Sequence, residues 1–173
     1  LAIIDEAYIH FTDAPTCLHL AVSHDNVMVL RTFSKLYGMA GARLGLVVGK
    51  PALLADLQRL NGYNFVPLAA AMGGIASLQQ EGLVSERKHI NRSILRNTIE
   101  ALQKAGYRCT DAQANCFMVA LGRPAKPVIE ALAQRNIRVG RVFEAWLQWM
   151  RVSVGTPAQM QAFLKAFLEV MHG

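Results

Sequence analysis

The chain has 173 residues, 53% of them hydrophobic, with 18 Lys plus Arg against 12 Asp plus Glu, giving a formal charge of +6 and a pI near 9.6. Such a length and apolar content can bury a sizeable core in one domain or a small pair, whereas no apolar run approaches the roughly 20 residues that a bilayer-spanning helix needs. The positive excess is spread out: its densest stretch, residues 86–96, sets Arg87, Lys88, Arg92 and Arg96 at helical spacing among apolar residues, which reads as a solvated face rather than a nucleic-acid or membrane footprint. Cys17, Cys109 and Cys116 show neither a CxxC pair nor metal-ligand spacing, so neither a disulfide framework nor a metal site is expected.

In chain order, the runs Ala2 to Ile4, Val27 to Leu30 and Leu44 to Val48 are branched and lack two-residue alternation, the pattern of strands buried on both faces of an α/β sheet. Pro51 to Asn61 carries Leu53, Leu54, Leu57 and Leu60 on one helical side, with Asn61-Gly62 as its stop signal. Val66 to Gln79 is small and apolar, a buried helix in which Gly73 and Gly74 permit close packing, and Gln80 to Gly82 is a break. Leu83 to Ala105 keeps a helical period until Gly106, and a domain boundary is expected inside this helix, dividing residues 1–90 from 91–173. Beyond it, Tyr107 to Asp111, Cys116 to Leu121, Ile137 to Phe143 and Met150 to Val154 read as strands, with a helix from Lys126 to Arg135 among them. The last helix is the best marked: Thr156 caps it, Pro157 opens its first turn, Gln159 completes a capping box, and Met160, Phe163, Leu164, Phe167, Leu168 and Met171 form its apolar stripe. Trp146 and Trp149 are expected to shield the core of this second part.

Chemistry concentrates after the second strand, in the segment from Arg31 to Gly45, RTFSKLYGMAGARLG. Lys35 falls where a strand gives way to a glycine-containing turn, and ligand sites in open α/β sheets lie at the carboxyl ends of strands. The hydroxyls of Thr32 and Ser34 and the guanidinium of Arg43 make a phosphate-anchor composition, with Gly38 and Gly41 allowing close backbone approach, although the GxxxxGK[ST] order of a Walker loop is absent. A second cluster, Asp5-Glu-Ala-Tyr8, follows the first strand and sets Asp5 at its carboxyl end, where an acid needs a cationic or hydrogen-bonding partner.

Taken together, Asp5-Glu-Ala-Tyr8, the run Ser34-Lys-Leu-Tyr-Gly-Met-Ala-Gly-Ala-Arg43-Leu-Gly45 and Met150-Arg-Val-Ser-Val-Gly-Thr156 resemble the fold-type I pyridoxal-phosphate aminotransferases, specifically the histidinol-phosphate aminotransferase-like branch. The resemblance covers essentially the whole chain. It implies the second half of a large, mainly parallel-sheet cofactor domain followed by an α+β small domain. With the start at Leu1 rather than Met, the chain is expected to be a fragment of a homodimeric, cytoplasmic enzyme that uses pyridoxal 5'-phosphate, an amino donor and a 2-oxo acid acceptor.

The resemblance also assigns roles. Lys35 is the amine that condenses with the cofactor aldehyde and later moves the substrate proton, Asp5 pairs with the pyridine nitrogen, and Tyr8 donates to the phenolic oxygen. Ser34 and Arg43, helped by Thr32, hold the phosphate; Arg151 grips the substrate carboxylate with its planar fork. Asn115 shapes the substrate end, and Arg141 lies where relatives have a loop near the substrate entrance. At position 10 many relatives carry an acid and this chain has His10, a departure that bears on substrate identity. Two alternatives stand beside transamination: a decarboxylase resembling threonine-phosphate decarboxylase, and a non-catalytic binding or oligomerisation fragment.

Overall fold

The computed structural model describes residues 1–61 and 65–173. The chain forms two compact units, Leu1–Lys88 and His89–Gly173. In the first, β1 (Ala2–Asp5), β2 (Val27–Thr32) and β3 (Gly45–Val48) form a sheet in that order, with α1 (Leu18–Ser23), α2 (Pro51–Asn61) and α3 (Leu68–Gln79) around it. Strands β1 and β2 run parallel, pairing Asp5 with Leu30, while β2 and β3 run antiparallel, pairing Thr32 with Gly45.

Only β2 is buried as the sequence led us to expect; Ile3, Leu46 and Val47 are exposed. The reason is topological, because β1 and β3 are the two edges of this three-stranded sheet and only the middle strand has neighbours on both sides. Helix α1, whose six residues are too few to show a period, covers the sheet by packing Ala21, Leu18 and Leu20 against Val27 and Val29.

Helix α3 is likewise not the buried helix its composition predicts. Ala70 and Gly74 are buried, whereas Leu68, Met72, Ile75 and Leu78 are exposed. Its glycines do serve close packing: a Cβ on Gly74 would lie 2.6 Å from Leu44 Cδ2, and one on Gly73 3.0 Å from Met39 Cε. On α2, Leu57 and Leu60 are exposed, and Gly62 of the expected stop signal lies outside the described residues.

Helix α4 (Leu83–Lys104) ends as predicted: Gly106 takes φ +88°, its amide donates to Gln103 and that of Tyr107 to Leu102, satisfying the last carbonyls. In the second unit β4 (Cys116–Ala120) pairs antiparallel with β5 (Trp149–Ser153), and α5 (Ala125–Gln134) and α6 (Pro157–His172) pack on them. Phe117, Val119, Leu132, Met150 and Phe167 are fully or almost fully buried at its centre.

Three expectations in this unit are corrected. Residues 107–111 form a single bridge, Cys109 to Val119, instead of a strand, because the Thr110 hydroxyl also accepts from the Met118 amide and supplants the backbone acceptor that would continue the ladder. Residues 137–143 form no strand, although the Gly140 amide donates to the Arg151 carbonyl of β5 at 2.9 Å. Trp146 is exposed and shields no core, whereas Trp149 is half-buried under the Arg108 guanidinium at 5.1 Å.

The capping box forms as read: the Thr156 side chain accepts from the Gln159 amide and the Gln159 side chain accepts from the Thr156 amide. Met160, Phe163, Phe167 and Met171 of its stripe are buried. Truncating Phe167 to Ala removes a fully buried ring and is expected to cost about 3–5 kcal/mol, against about 1 kcal/mol for Thr156→Ala. Urea unfolding followed by the fluorescence of the second unit's tryptophans checks both values and their ratio.

Candidate active site

The parallel pairing of β1 and β2 brings Asp5 and Thr32 to the same, carboxyl end of the sheet. Asp5 turns its carboxylate by accepting from the Ala7 amide at 2.9 Å, and the chain then enters a 3-10 turn, Ile9–Phe11, preceded by Tyr8. From β2 the chain passes through Phe33 and Ser34 to Lys35, whose Nζ lies 5.3 Å from the centre of the Tyr8 ring. The exposed amine and the half-buried phenol are thus brought together from the ends of two neighbouring strands.

The turn that displays Lys35 is closed by its own backbone. Ser34 donates its amide to the Thr32 hydroxyl at 3.0 Å, Gly38 to the Lys35 carbonyl at 3.0 Å and Met39 to the Phe33 carbonyl at 3.0 Å. Gly38 takes φ +70° there, which a side chain would strain. The Thr32 hydroxyl is directed at backbone on both counts, since it also donates to the Leu44 carbonyl at 3.4 Å.

The antiparallel register carries on from Thr32 and Gly45 through the Phe33 amide bond to the Leu44 carbonyl at 3.1 Å, so that Ser34 and Arg43 are the next positions across the opening. Arg43 has left-handed backbone at φ 54° and ψ 47°, uncommon outside glycine, and its guanidinium donates to the Ala40 carbonyl at 2.9 Å. A strained, exposed arginine opposite a serine is the kind of outlier that function retains.

Under these loops lies a charged group that the sequence reading missed. Glu6 is buried, and its carboxylate accepts from Arg31 Nε at 2.9 Å, from Arg31 Nη2 at 2.8 Å, from the Thr16 hydroxyl at 3.0 Å and from the Cys17 amide at 2.5 Å. Burial pushes this carboxyl up, but the Cys17 amide, the Arg31 guanidinium and the Thr16 hydroxyl together hold it below the ordinary value of 4.5. The available signal was that an acid follows one apolar run and a guanidinium ends the next. If the runs pair in parallel, the two charges must meet.

His10 belongs to the same neighbourhood, edge-on to Tyr37 at 5.3 Å. Burial and then the Arg31 charge lower its pKa from 6.5, with Glu6 opposing, so the ring is neutral at pH 7.

The second unit holds the other candidates. Arg151, paired with Met118 in the sheet, lines a cavity of about 280 Å³ together with Thr110, Asp111, Gln113 and Cys116. Its Nε is buried without a hydrogen-bond partner among the described residues. The guanidinium lies 5.4 Å from the Phe143 ring centre, as does that of Arg141. Gly140 is required by this crowding, because a Cβ there would come within 2.9 Å of the Arg151 carbonyl and 3.1 Å of its Nε. Asn115, in contrast, has a backbone part: its carbonyl accepts from the Val154 amide at 2.8 Å, and it is absent from the walls of the Arg151 cavity. Among the described residues no three His, Cys, Asp or Glu side chains gather into a set able to hold a metal ion.

Breaking the buried pair tests the foundation of the first cluster. Glu6→Gln leaves Arg31 uncompensated and is expected to cost about 3–5 kcal/mol, with part of it returned in the Glu6→Gln, Arg31→Met double variant. Since the folded carboxyl titrates below its unfolded value, its contribution is complete above pH 4.5 and is lost as pH falls through the folded value. His10 acts in the same sense, its contribution complete above 6.5 and lost on acidification. Denaturant unfolding of the wild type and Glu6→Gln between pH 3 and 8 reads the difference: the gap between them should close at the acid end.

With this geometry in place, comparison with known proteins gives a consistent picture. The aminotransferase class I and II family matches residues 1–167. The histidinol-phosphate aminotransferase of Symbiobacterium thermophilum is 35% identical over 168 residues, covering 96% of this chain and 46% of its own length. The aromatic amino acid aminotransferase of Mycobacteroides abscessus is 37% identical over 172 residues, covering 95% and 47%. The crystal structure of histidinol-phosphate aminotransferase from Sinorhizobium meliloti in complex with pyridoxal-5'-phosphate superimposes with a TM-score of 0.89 at 23% identity, over 99% of this chain and 49% of that one. The expected α/β architecture, as part of the type I pyridoxal-phosphate transferase fold, is therefore borne out, and the chain spans about half the length of the curated relatives it matches. By sequence and by fold, it belongs to the aminotransferase class I and II family.

Proposed function

We propose that this chain is the part of a pyridoxal-phosphate-dependent aminotransferase that carries the cofactor lysine, and that the whole protein moves an amino group from a phosphorylated amino alcohol or an aromatic amino acid to a 2-oxo acid. The observation that carries the reading is the Lys35 amine poised 5.3 Å over the Tyr8 ring at the carboxyl ends of two parallel strands. Residues 1–90 then belong to the large cofactor domain and 91–173 to the small one.

The residues fit the cofactor. A carboxylate at the end of β1, a phenol beside a primary amine, and a serine across from a strained arginine match in kind the ring nitrogen, phenolic oxygen, aldehyde and phosphate of pyridoxal phosphate. Bound there, it supplies the electron sink that makes the substrate Cα proton acidic. Asp5 keeps the ring nitrogen protonated, Tyr8 donates to the phenolic oxygen, and Ser34 and Arg43 hold the phosphate. Thr32, its hydroxyl directed at backbone, shapes the turn. Lys35 Nζ would hold the cofactor through its aldehyde and, as a free amine, would be the group placed to accept and return the substrate Cα proton.

Arg151 is the substrate anchor of this reading. A buried guanidinium N–H without a partner costs about 1–3 kcal/mol, which a carboxylate or phosphate ester in the adjoining cavity recovers as two parallel hydrogen bonds. Arg141, on the same Phe143 ring, supplies a second cation for a donor with a further anionic group. Asn115 keeps only a supporting part, holding the turn before β4 to Val154. The exposed apolar residues of the first unit are allotted to the rest of the large domain and to a second copy in a homodimer.

The whole protein mixed with pyridoxal phosphate should develop the visible absorbance of a lysine-bound cofactor. Lys35→Ala should abolish it and lower turnover by at least about 10²–10⁴-fold. Arg151→Met should leave the absorbance in place and lower kcat/KM by about 100-fold. Product analysis separates the chemistries: pyridoxamine phosphate formation supports transamination, carbon dioxide release supports the decarboxylase, and no cofactor uptake by the wild type leaves the binding module.

A further inference from the structure

In the turn that presents Lys35, the Leu36 carbonyl takes no part in the bonds that close it. Within Lys35 to Gly38, the Gly38 amide closes on Lys35 and the Met39 amide on Phe33, while Leu36, itself buried, turns its carbonyl away from both. A buried carbonyl needs a donor, and Arg87, in the second turn of α4, supplies it: Nη1 donates to the Leu36 oxygen at 3.0 Å and lies 3.7 Å from where a Cβ of Gly38 would be. The guanidinium therefore rests against the Lys35 turn, tied to it at Leu36 and in van der Waals reach of the Gly38 position.

The next residue does the same for the other loop. Lys88 Nζ donates to the Thr12 carbonyl at 2.6 Å and to Asp13 Oδ1 at 2.7 Å. Thr12 ends the turn that Tyr8 begins, its amide and hydroxyl both donating to the Ile9 carbonyl. Two consecutive cations of one helix thus each hold a different loop, one carrying the amine and the other the phenol of the candidate site. Both are charge-assisted bonds to backbone oxygens, the stronger class, with the Lys88 side chain only 23% exposed.

We propose that Arg87 and Lys88 are positioning residues for the cofactor site: as neighbours on one rigid helix, they fix the spacing between the Lys35 turn and the Tyr8 loop and so the approach of Nζ to the phenol. The inference rests on the functional reading above and adds to it two residues outside the cofactor-binding motif. A helical backbone varies less than a loop, so setting both loops from α4 gives the amine a defined place that its own exposed turn cannot.

The test uses Arg87→Met and Lys88→Met, which keep an unbranched apolar stem and remove the donors, with Arg87→Lys and Lys88→Arg as conservative counterparts. In the cofactor-free chain, Arg87→Met should speed amide exchange of Leu36 to Met39 by roughly tenfold and change the acylation rate of Lys35, read by peptide mass spectrometry, while residues 9–13 keep their protection. Lys88→Met should show the reverse selectivity, and each conservative variant should restore most of the wild-type pattern. With pyridoxal phosphate as probe on the whole protein, each Met variant should raise the Kd by about tenfold. Exchange that rises uniformly through the first unit, or not at all, would reduce the two residues to general stabilisers and overturn the inference, as would an unchanged Kd in both Met variants. If the wild type takes up no cofactor, the functional reading falls alone. The selectivity of exchange and of Lys35 acylation then decides whether the two cations set the loops.

Discussion

A carboxylate buried at the end of a strand has to be compensated, and the way Glu6 is compensated organises everything above it. Its side chain is 4% exposed, and its partners come from three places: Arg31 in β2, Thr16 before α1, and the Cys17 amide at the start of α1. A charge with so many bonds allows little relative sliding of β1 and β2, because a shift of one residue would strand it without its guanidinium. The parallel register that sets Asp5 beside Leu30 is thereby enforced from inside, and with it the proximity of the Tyr8 and Lys35 loops. Such a pair is weak evidence for net stability, since an apolar replacement of the same shape can do as well. Its physical value here is registry.

The two units differ in how much of their apolar surface they bury. In the second, Phe117, Leu102, Leu132, Met150 and Phe167 close a core that α4, both strands and α5 and α6 all reach, and Ile90, Trp146 and Leu147 are its large exposed apolar residues. In the first, the sheet's own cluster is Ala21, Val27 and Val29, while Ile3, Leu46, Leu68, Met72 and Ile75 are exposed. The apolar composition read as strands buried on both faces holds for β2, whereas Ile3, Leu46 and Val47 of the edge strands are exposed. Sequence reports what a segment is suited to bury; whether it is buried depends on the elements that pack against it.

Legibility followed the range of the interaction. The capping box of α6, the glycine that ends α4 and the lysine turn are written within a few residues of one another, and each was readable. Residues 137–143 have the branched composition of a strand, but a strand also needs a partner edge, and they meet β5 through the Gly140 amide bond without forming a ladder. The helical spacing of Arg87 and Lys88 reads as a solvated face, yet both cations reach loop carbonyls instead. Spacing alone cannot tell whether water or two loops lie on that face, and their partners are 51 and 76 positions away in the sequence. Glu6 failed for a related reason, standing next to an acid already assigned a role while its counter-ion lies 25 positions on.

Two local costs of the fold fall on candidate site residues, the left-handed backbone of Arg43 and the unpartnered Nε of Arg151. Arg43 and Asn136 are the non-glycine residues with positive φ among those described; Arg43 stands across from Ser34 at the opening of the β2–β3 ladder. The buried orphan among the described side chains is Nε of Arg151, a residue that also lines a cavity. Each costs free energy in the folded chain and would be relieved locally by ordinary substitutions, such as a glycine at 43 or an apolar residue at 151. Both are arginines, whose planar and always charged guanidinium is the side-chain group best shaped to meet a phosphate or carboxylate.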